Sequence, residues 1–275
     1  MARIALIPPA ASGPWYWHLL TAELTARGHE VIPVFLPYDS DTALLADYVA
    51  AAVEQIGRSP GCVVVAQSFG AYPGTLLAED IGARQLILLT PMLPAPGETP
   101  AQFWDLPGYA AARRRQADRE GWSTAEDSDA ATIFFHELPD SLVEKLTHHA
   151  IDHTDSAFAD PWPLDRWPDV PTAVLLTRGD RLLPVEYMQE LTRRRVGIEA
   201  DLMDGGHPVA LSRPVELADA LEVLPGLGVA RFCEFGKRED CDVPGFERYY
   251  ALSGFDPDKQ LGGIEWLGDE VISPG

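Results

Sequence analysis

The sequence predicts an α/β protein: a mainly parallel sheet with helices on both faces and an inserted helical cap. Three observations predict it. Strand-like and helix-like segments alternate along roughly the first 200 residues, as they must when each strand is returned to the same edge of a sheet by a helical crossover. The alternation breaks between Pro91 and Pro171, where helical stretches follow one another without a convincing strand. At residues 62–71, Cys-Val-Val-Val-Ala-Gln-Ser-Phe-Gly-Ala, an apolar β-branched run ends in a serine framed by small residues.

Strands are expected at residues 3–7, 31–36, 62–66, 85–90, 172–177 and 198–203, each a short apolar run bounded by turn formers. Helices are expected at residues 15–26, 42–56, 69–79, 184–195 and 209–221. Gly28 after Arg27 stops the first of these, and Pro184 and Pro208 stand where helices begin. Pro73 falls in the first turn of the third, where a missing N–H costs little. Within the insertion, residues 110–120 and 141–154 carry helical patterns. Its edges are stiffened by Pro91, Pro94, Pro96 and Pro100 on one side and Pro161, Pro163, Pro168 and Pro171 on the other. The expected division is a core of residues 1–90 and 171–224, a cap of residues 91–170, and a C-terminal extension of residues 225–275. The extension is glycine-rich and acidic, yet its aromatics, among them Phe232, Phe235, Tyr249 and Trp266, argue against simple disorder. It suits packing on the domain or on a partner subunit, so a homodimer is one expectation, and a variable appendage is the other.

With 275 residues and 46% hydrophobic content, the chain can bury a sizeable core. Twenty-one basic against 42 acidic residues leave a formal charge of −21, which disfavours nucleic acid and anionic membranes and favours small neutral substrates. Three cysteines, Cys62, Cys233 and Cys241, make an odd set with no disulfide framework, and Cys62 falls in a predicted buried strand. The apolar run at residues 3–7 is too short for a signal-peptide core and no run is long enough to span a membrane, so a soluble cytoplasmic protein is expected.

Ser68 marks a strand that turns sharply into a helix. Such a turn needs small residues two before and two after its apex, and Ala66 and Gly70 meet that demand. The turn lifts the hydroxyl into a crevice at the strand's carboxyl end, with the Phe69 amide at a helix N-terminus, where an oxyanion is stabilised. A nucleophile there needs a base and an orienting acid from later strand ends. After residues 172–177 comes Asp180 in the turn Arg178-Gly179-Asp180-Arg181, and after residues 198–203 comes His207 in Asp204-Gly205-Gly206-His207-Pro208. Singly, Asp180 is an ordinary helix cap and His207 an ordinary loop residue. Together they give the order serine, acid, histidine at three strand ends, with Asp201 and Asp204 as rival acids too close to His207 along the chain to reach around it. The second oxyanion donor is expected in the loop after the first strand, where Pro8 and Pro9 have no N–H and Ala10 is the first residue able to donate.

These residues, with Leu6-Ile7-Pro8-Pro9-Ala10, Trp15-Tyr16-Trp17, the stretch from Leu24 to Val31, and Leu36-Pro37, resemble the small esterase and hydroxynitrile lyase group of α/β-hydrolases, which includes plant methyl-ester esterases. The resemblance spans roughly residues 3–222. It implies an α/β-hydrolase fold in which Ser68, Asp180 and His207 form the triad. The chain departs from the group at Pro8-Pro9, where the group usually has His-Gly. It departs again at Pro208, where the lyases carry the lysine that receives cyanide, and this favours ester hydrolysis over cyanohydrin cleavage.

The expected function is therefore hydrolysis of a small carboxylic ester, thioester or lactone through an acyl-enzyme on Ser68, with no cofactor and no metal. The alternatives are a non-hydrolytic reaction on the same triad (cyclisation, acyl transfer or lyase chemistry) and a receptor-like protein that binds such a ligand with little turnover. Trp15, Trp17, Phe103, Trp104 and Phe134 are candidates for an apolar substrate pocket, against the plainer reading that aromatics are core. His149 and His153 have metal-ligand spacing if their segment is helical, and a solvated helix face is the alternative.

Overall fold

The computed structural model describes residues 1–124 and 130–224. The readings of the C-terminal extension, with Cys233 and Cys241, lie outside the described residues. Six parallel strands form one sheet: β1 (Arg3–Ile7), β2 (Glu30–Pro33), β3 (Cys62–Gln67), β4 (Gln85–Leu89), β5 (Thr172–Thr177) and β6 (Asp201–Met203), in the order β2-β1-β3-β4-β5-β6. The order reverses between β1 and β3. That is the switch point at which the loops after two adjacent strands diverge and leave a crevice at their carboxyl ends.

Alternation along the strands sorts the core into two layers, because successive side chains leave a strand on opposite faces. Ala5, Ile7, Val64, Ala66, Leu86, Leu88, Val174 and Leu176 enter one cluster. It is covered by α2 (Leu45–Ile56), α3 (Ala71–Ile81) and α7 (Val185–Arg195). Ile4, Leu6, Val63, Val65, Ile87, Leu89 and Leu175 enter the other, covered by α1 (His18–Ala26), α8 (Val209–Ser212) and α9 (Pro214–Val223). Free Cys62 is buried in β3 as a small apolar residue, its thiol pushed up by burial.

Several element boundaries differ from the sequence expectation. The helix expected at residues 15–26 begins as a 3₁₀ turn (Pro14–Trp17), the helix expected at residues 209–221 breaks before Pro214, and β2 ends at Pro33 rather than at residue 36, its nitrogen without N–H on the open edge of the sheet. The cap helix expected at residues 141–154 ends at His148, since the Ile151 N–H is taken by the Ala11 carbonyl at 3.0 Å rather than by its own helix.

Between β4 and β5 lie a 3₁₀ turn (Pro100–Asp105), α4 (Tyr109–Glu120), α5 (Ala130–Ile133) and α6 (Asp140–His148), with no strand among the described residues. The insert leaves and re-enters the core at one place. The Gly97 N–H donates to the Trp162 carbonyl and the Trp162 N–H to the Glu98 carbonyl, each at 3.0 Å, and the Trp162 indole N–H donates to Thr75 Oγ1 in α3 at 3.0 Å. Glu98 is also held by Arg195 at the end of α7 through two hydrogen bonds of 2.8 and 2.6 Å in a largely buried pair. No helix among the described residues is long and apolar enough to cross a membrane.

Candidate active site

Ser68 follows β3 directly and opens a 3₁₀ turn (Ser68–Gly70) that runs into α3. Its φ of 54° is left-handed, a conformation that costs a side-chain-bearing residue about 1–2 kcal/mol. Such strain persists only where surrounding contacts over-determine it. Those contacts are visible: a Cβ on Gly70 would stand 2.5 Å from the Pro8 carbonyl oxygen, and one on Gly74 would stand 2.4 Å from the Ala66 Cβ. Small residues at 66, 70 and 74 let α3 lie against β3 and the β1 loop closely enough to force the elbow. Ala11 (φ 56°) and Thr90 (φ 38°) are the other non-glycine residues with positive φ among the described residues. They follow β1 and β4, so all three strained residues gather at one edge of the sheet, the carboxyl edge around Ser68.

Asp180 and His207 meet at this edge. His207 Nδ1 and Asp180 Oδ2 are 2.7 Å apart, and the two residues are 5% and 1% exposed. The other carboxylate oxygen, Oδ1, accepts the N–H groups of Leu182 and Leu183 at 2.8 and 2.9 Å, so both oxygens are engaged and the carboxylate cannot turn away from the ring. The rival acids stand elsewhere. Asp204 pairs with Arg178 at 3.0 Å on the surface, and Asp201 opens β6 with its carboxyl pushed up by burial. Ser68 is buried beside this pair and makes no hydrogen bond to the His207 ring among the described residues.

Three side chains hold the His207 loop by its backbone. Gln67, wholly buried at the end of β3, donates from Nε2 to the His207 carbonyl at 2.6 Å and so ties His207 to the residue beside Ser68. Thr177 Oγ1, at the end of β5, donates to the Gly206 carbonyl at 3.1 Å. Glu137 Oε2, from the insert, accepts the Gly206 N–H at 2.9 Å. Tyr16 lies behind the site. Burial pushes its hydroxyl far above the ordinary range, with the Gln67 amide opposing and Asp180 adding to the shift, so it stays neutral. The sequence reading missed all four, and chemistry-bearing motifs offer no signal for them: each is a common polar residue whose partner belongs to a distant segment.

The β1 loop faces Ser68 from the other side. The Pro8 carbonyl accepts the buried Tyr38 hydroxyl at 2.8 Å, and Ala10 follows in the turn that Ala11 completes. The Phe69 ring is wholly buried and stacks on Phe158 of the insert at 4.4 Å, while its backbone lies in the elbow.

The five candidate pocket aromatics separate. Phe134 meets the His207 ring edge-on at 5.7 Å. Trp104 packs with Phe103 and Tyr109, and Phe103 itself is wholly buried in the α3 layer. Trp17 is wholly buried on the opposite face of the sheet, while Trp15 is sandwiched between the His18 and His149 rings at 4.4 and 4.5 Å. The metal reading of His149 and His153 fails on geometry, since α6 ends before both: His149 stacks on Trp15, whereas His153 is packed among Tyr38, Phe69 and Phe158.

Solved structures share this architecture. The fold is similar to that of polyneuridine aldehyde esterase (18% identity, 80% of this chain and 98% of that one, TM-score 0.63). It is similar also to a pyrethroid hydrolase from Sphingobium faniae JZ-2 (21%, 80% and 95%, TM-score 0.65) and to a methylesterase from Arabidopsis (18%, 80% and 97%, TM-score 0.60). A search of curated protein sequences finds no match. The model of the alpha/beta hydrolase family matches residues 4–220, the whole of the sheet and the insert, and the chain belongs to that family.

Proposed function

We propose that the chain is a serine hydrolase that cleaves a small carboxylic ester, thioester or lactone. The observation that carries this reading is the bond between buried Asp180 and His207 at the sheet edge where Ser68 is held in a strained elbow. Asp180 fixes the imidazole with Nδ1 protonated, which leaves Nε2 free to take the Ser68 proton. The Ser68 oxygen attacks the carbonyl carbon, and the charge that develops on the carbonyl oxygen is met by the Phe69 and Ala10 N–H groups. His207 returns its proton to the departing alcohol or thiol, then activates the water that releases the acid. The similar structures belong to an esterase, a pyrethroid hydrolase and a methylesterase, which supports the same chemistry here.

The insert of residues 91–170 supplies the cover. Its residues are fastened to the acid loop: Gln116 Nε2 donates to the Asp180 carbonyl at 3.1 Å, the Tyr109 hydroxyl to the Leu182 carbonyl at 2.8 Å, and Arg181 to the Thr132 carbonyl at 2.9 Å. A cover seated on the triad loops excludes water and shapes the acyl pocket, with Phe134 at its wall. The test is a panel of short aryl esters and a fluorophosphonate probe applied to the parent, Ser68→Ala and His207→Ala. Turnover and labelling by the parent alone support the reading, and a parent that neither labels nor hydrolyses any ester sinks it.

A further inference from the structure

We infer that Glu137 is a positioning residue for the general base, so that the insert takes part in catalysis as well as covering the site; this rests on the hydrolase reading above. The loop that carries His207 is unusually bare. Gly205 (φ 135°) and Gly206 precede the histidine, Gly179 lies against Gly205 with its N–H on the Gly205 carbonyl at 2.9 Å, and none of the three has a side chain to brace its neighbour. A loop of this kind retains wide conformational freedom unless something outside it fixes the backbone. Gln67 and Thr177 fix the carbonyls of His207 and Gly206. The N–H of Gly206, the residue immediately before the base, is fixed by Glu137.

The Glu137 carboxylate lies within van der Waals reach of both glycine positions. A Cβ on Gly206 would lie 3.7 Å from its Cδ, and a Cβ on Gly179 would lie 3.5 Å from its Oε1, so one carboxylate touches both the loop of the acid and the loop of the base. Arg213 Nε, at 3.7 Å from Oε2, forms an ion pair with the carboxylate. Two neighbours in the insert reach the same loop: Phe134 against the His207 ring, and His136, whose ring would meet a Gly206 Cβ at 3.0 Å. The segment from Phe134 to Glu137 therefore grips the base from the insert side as Gln67 and Thr177 grip it from the sheet side. A charge-assisted bond from a carboxylate to a backbone N–H is among the stronger restraints on a loop, and small misplacements of a catalytic group cost large factors in rate.

The test uses the full chain with the best aryl ester of the panel, and compares the parent with Glu137→Ala and Glu137→Gln. The expected result for Glu137→Ala is a loss of about tenfold or more in kcat and in the rate of fluorophosphonate labelling, with KM within about twofold. Glu137→Gln keeps an amide oxygen for the Gly206 N–H and is expected to recover most of the rate. If Glu137→Ala melts below the assay temperature, Glu137→Asp carries the same expectation, because it retracts the carboxylate by one methylene and keeps its charge. Equal kcat in the parent and the alanine or aspartate variant overturns the proposal while the hydrolase reading stands. So does a change confined to KM, or a glutamine variant as slow as alanine. A parent without turnover or labelling overturns both.

Discussion

Ser68 concentrates chemistry and strain in one residue, and substitutions separate the two. Ser68→Gly and Ser68→Ala both remove the nucleophile, but glycine adopts φ 54° freely, so Ser68→Gly is expected to be about 1 kcal/mol more stable than Ser68→Ala in denaturant melts. Asp180→Asn leaves a neutral partner for His207 and favours the wrong tautomer. A fall of about 10⁴-fold in kcat with little change in melting temperature is expected. Gly70→Ala drives a methyl against the Pro8 carbonyl and is expected to cost about 1–3 kcal/mol, read as a lower melting temperature together with slower labelling of Ser68. At this scale the pairing of Asp180 with His207 and the sharp turn at Ser68 are legible in the sequence, because each residue sits in a short local pattern at a strand end. Gln67, Thr177 and Glu137 are not. Gln67 and the His207 carbonyl are 140 residues apart in sequence, and nothing local marks a glutamine whose partner is a backbone oxygen on another strand's loop.

Elements meet most tightly where the site needs them to. The α3 helix approaches β3 so closely that Gly74 and Ala66 leave no room for a second methyl, and the frame of small residues read from the sequence is the visible half of that contact. Gly74 lies outside the frame and went unread. At the far end of the same layer, Arg195 of α7 and Glu98 of the insert form a pair with side chains 13% and 15% exposed, and Tyr72 of α3 packs beside it with its hydroxyl pushed up by burial. Arg195→Met strands the Glu98 carboxylate, and a loss of about 3 kcal/mol is expected, visible as a melting temperature lower by roughly 6–12 °C. The six strands could be read because parallel, doubly covered strands are continuous apolar runs. The ends of helices could not, wherever a tertiary partner won: the periodicity beyond His148 is helical, yet the Ile151 N–H serves Ala11 in the loop after β1.

The whole molecule carries a pH dependence that follows from two histidines outside the triad. Burial lowers His153, with Asp155 opposing, and burial together with Arg181 lowers His136. Between these lowered values and the ordinary histidine value of about 6.5, the folded chain binds fewer protons than the unfolded one, so stability is full above that pH and declines as pH falls below it. Thermal melts between pH 7.5 and 5 are expected to show this decline, and His153→Phe, which suits the ring cage of Tyr38, Phe69 and Phe158, is expected to flatten it. Glu222 acts further down. Burial raises its carboxyl, but hydrogen bonds from His29 and Arg27 outweigh this and hold it below its usual value, so its contribution is lost only as pH falls through that lowered value.

The pair of hydrogen bonds between residues 97–98 and Trp162 has a consequence for how such a molecule diversifies. Because the chain departs from the core and returns to it through one doorway, closed by Trp162 on Thr75, residues 99–161 in between form a cassette whose length is of no concern to the sheet. Substrate choice can then drift while the reaction stays put. Exchanging residues 99–161 for the corresponding segment of another family member, with the doorway retained, is expected to yield a folded protein that still labels at Ser68 but prefers different esters. It is expected to label slowly unless the new segment brings a carboxylate to Gly206.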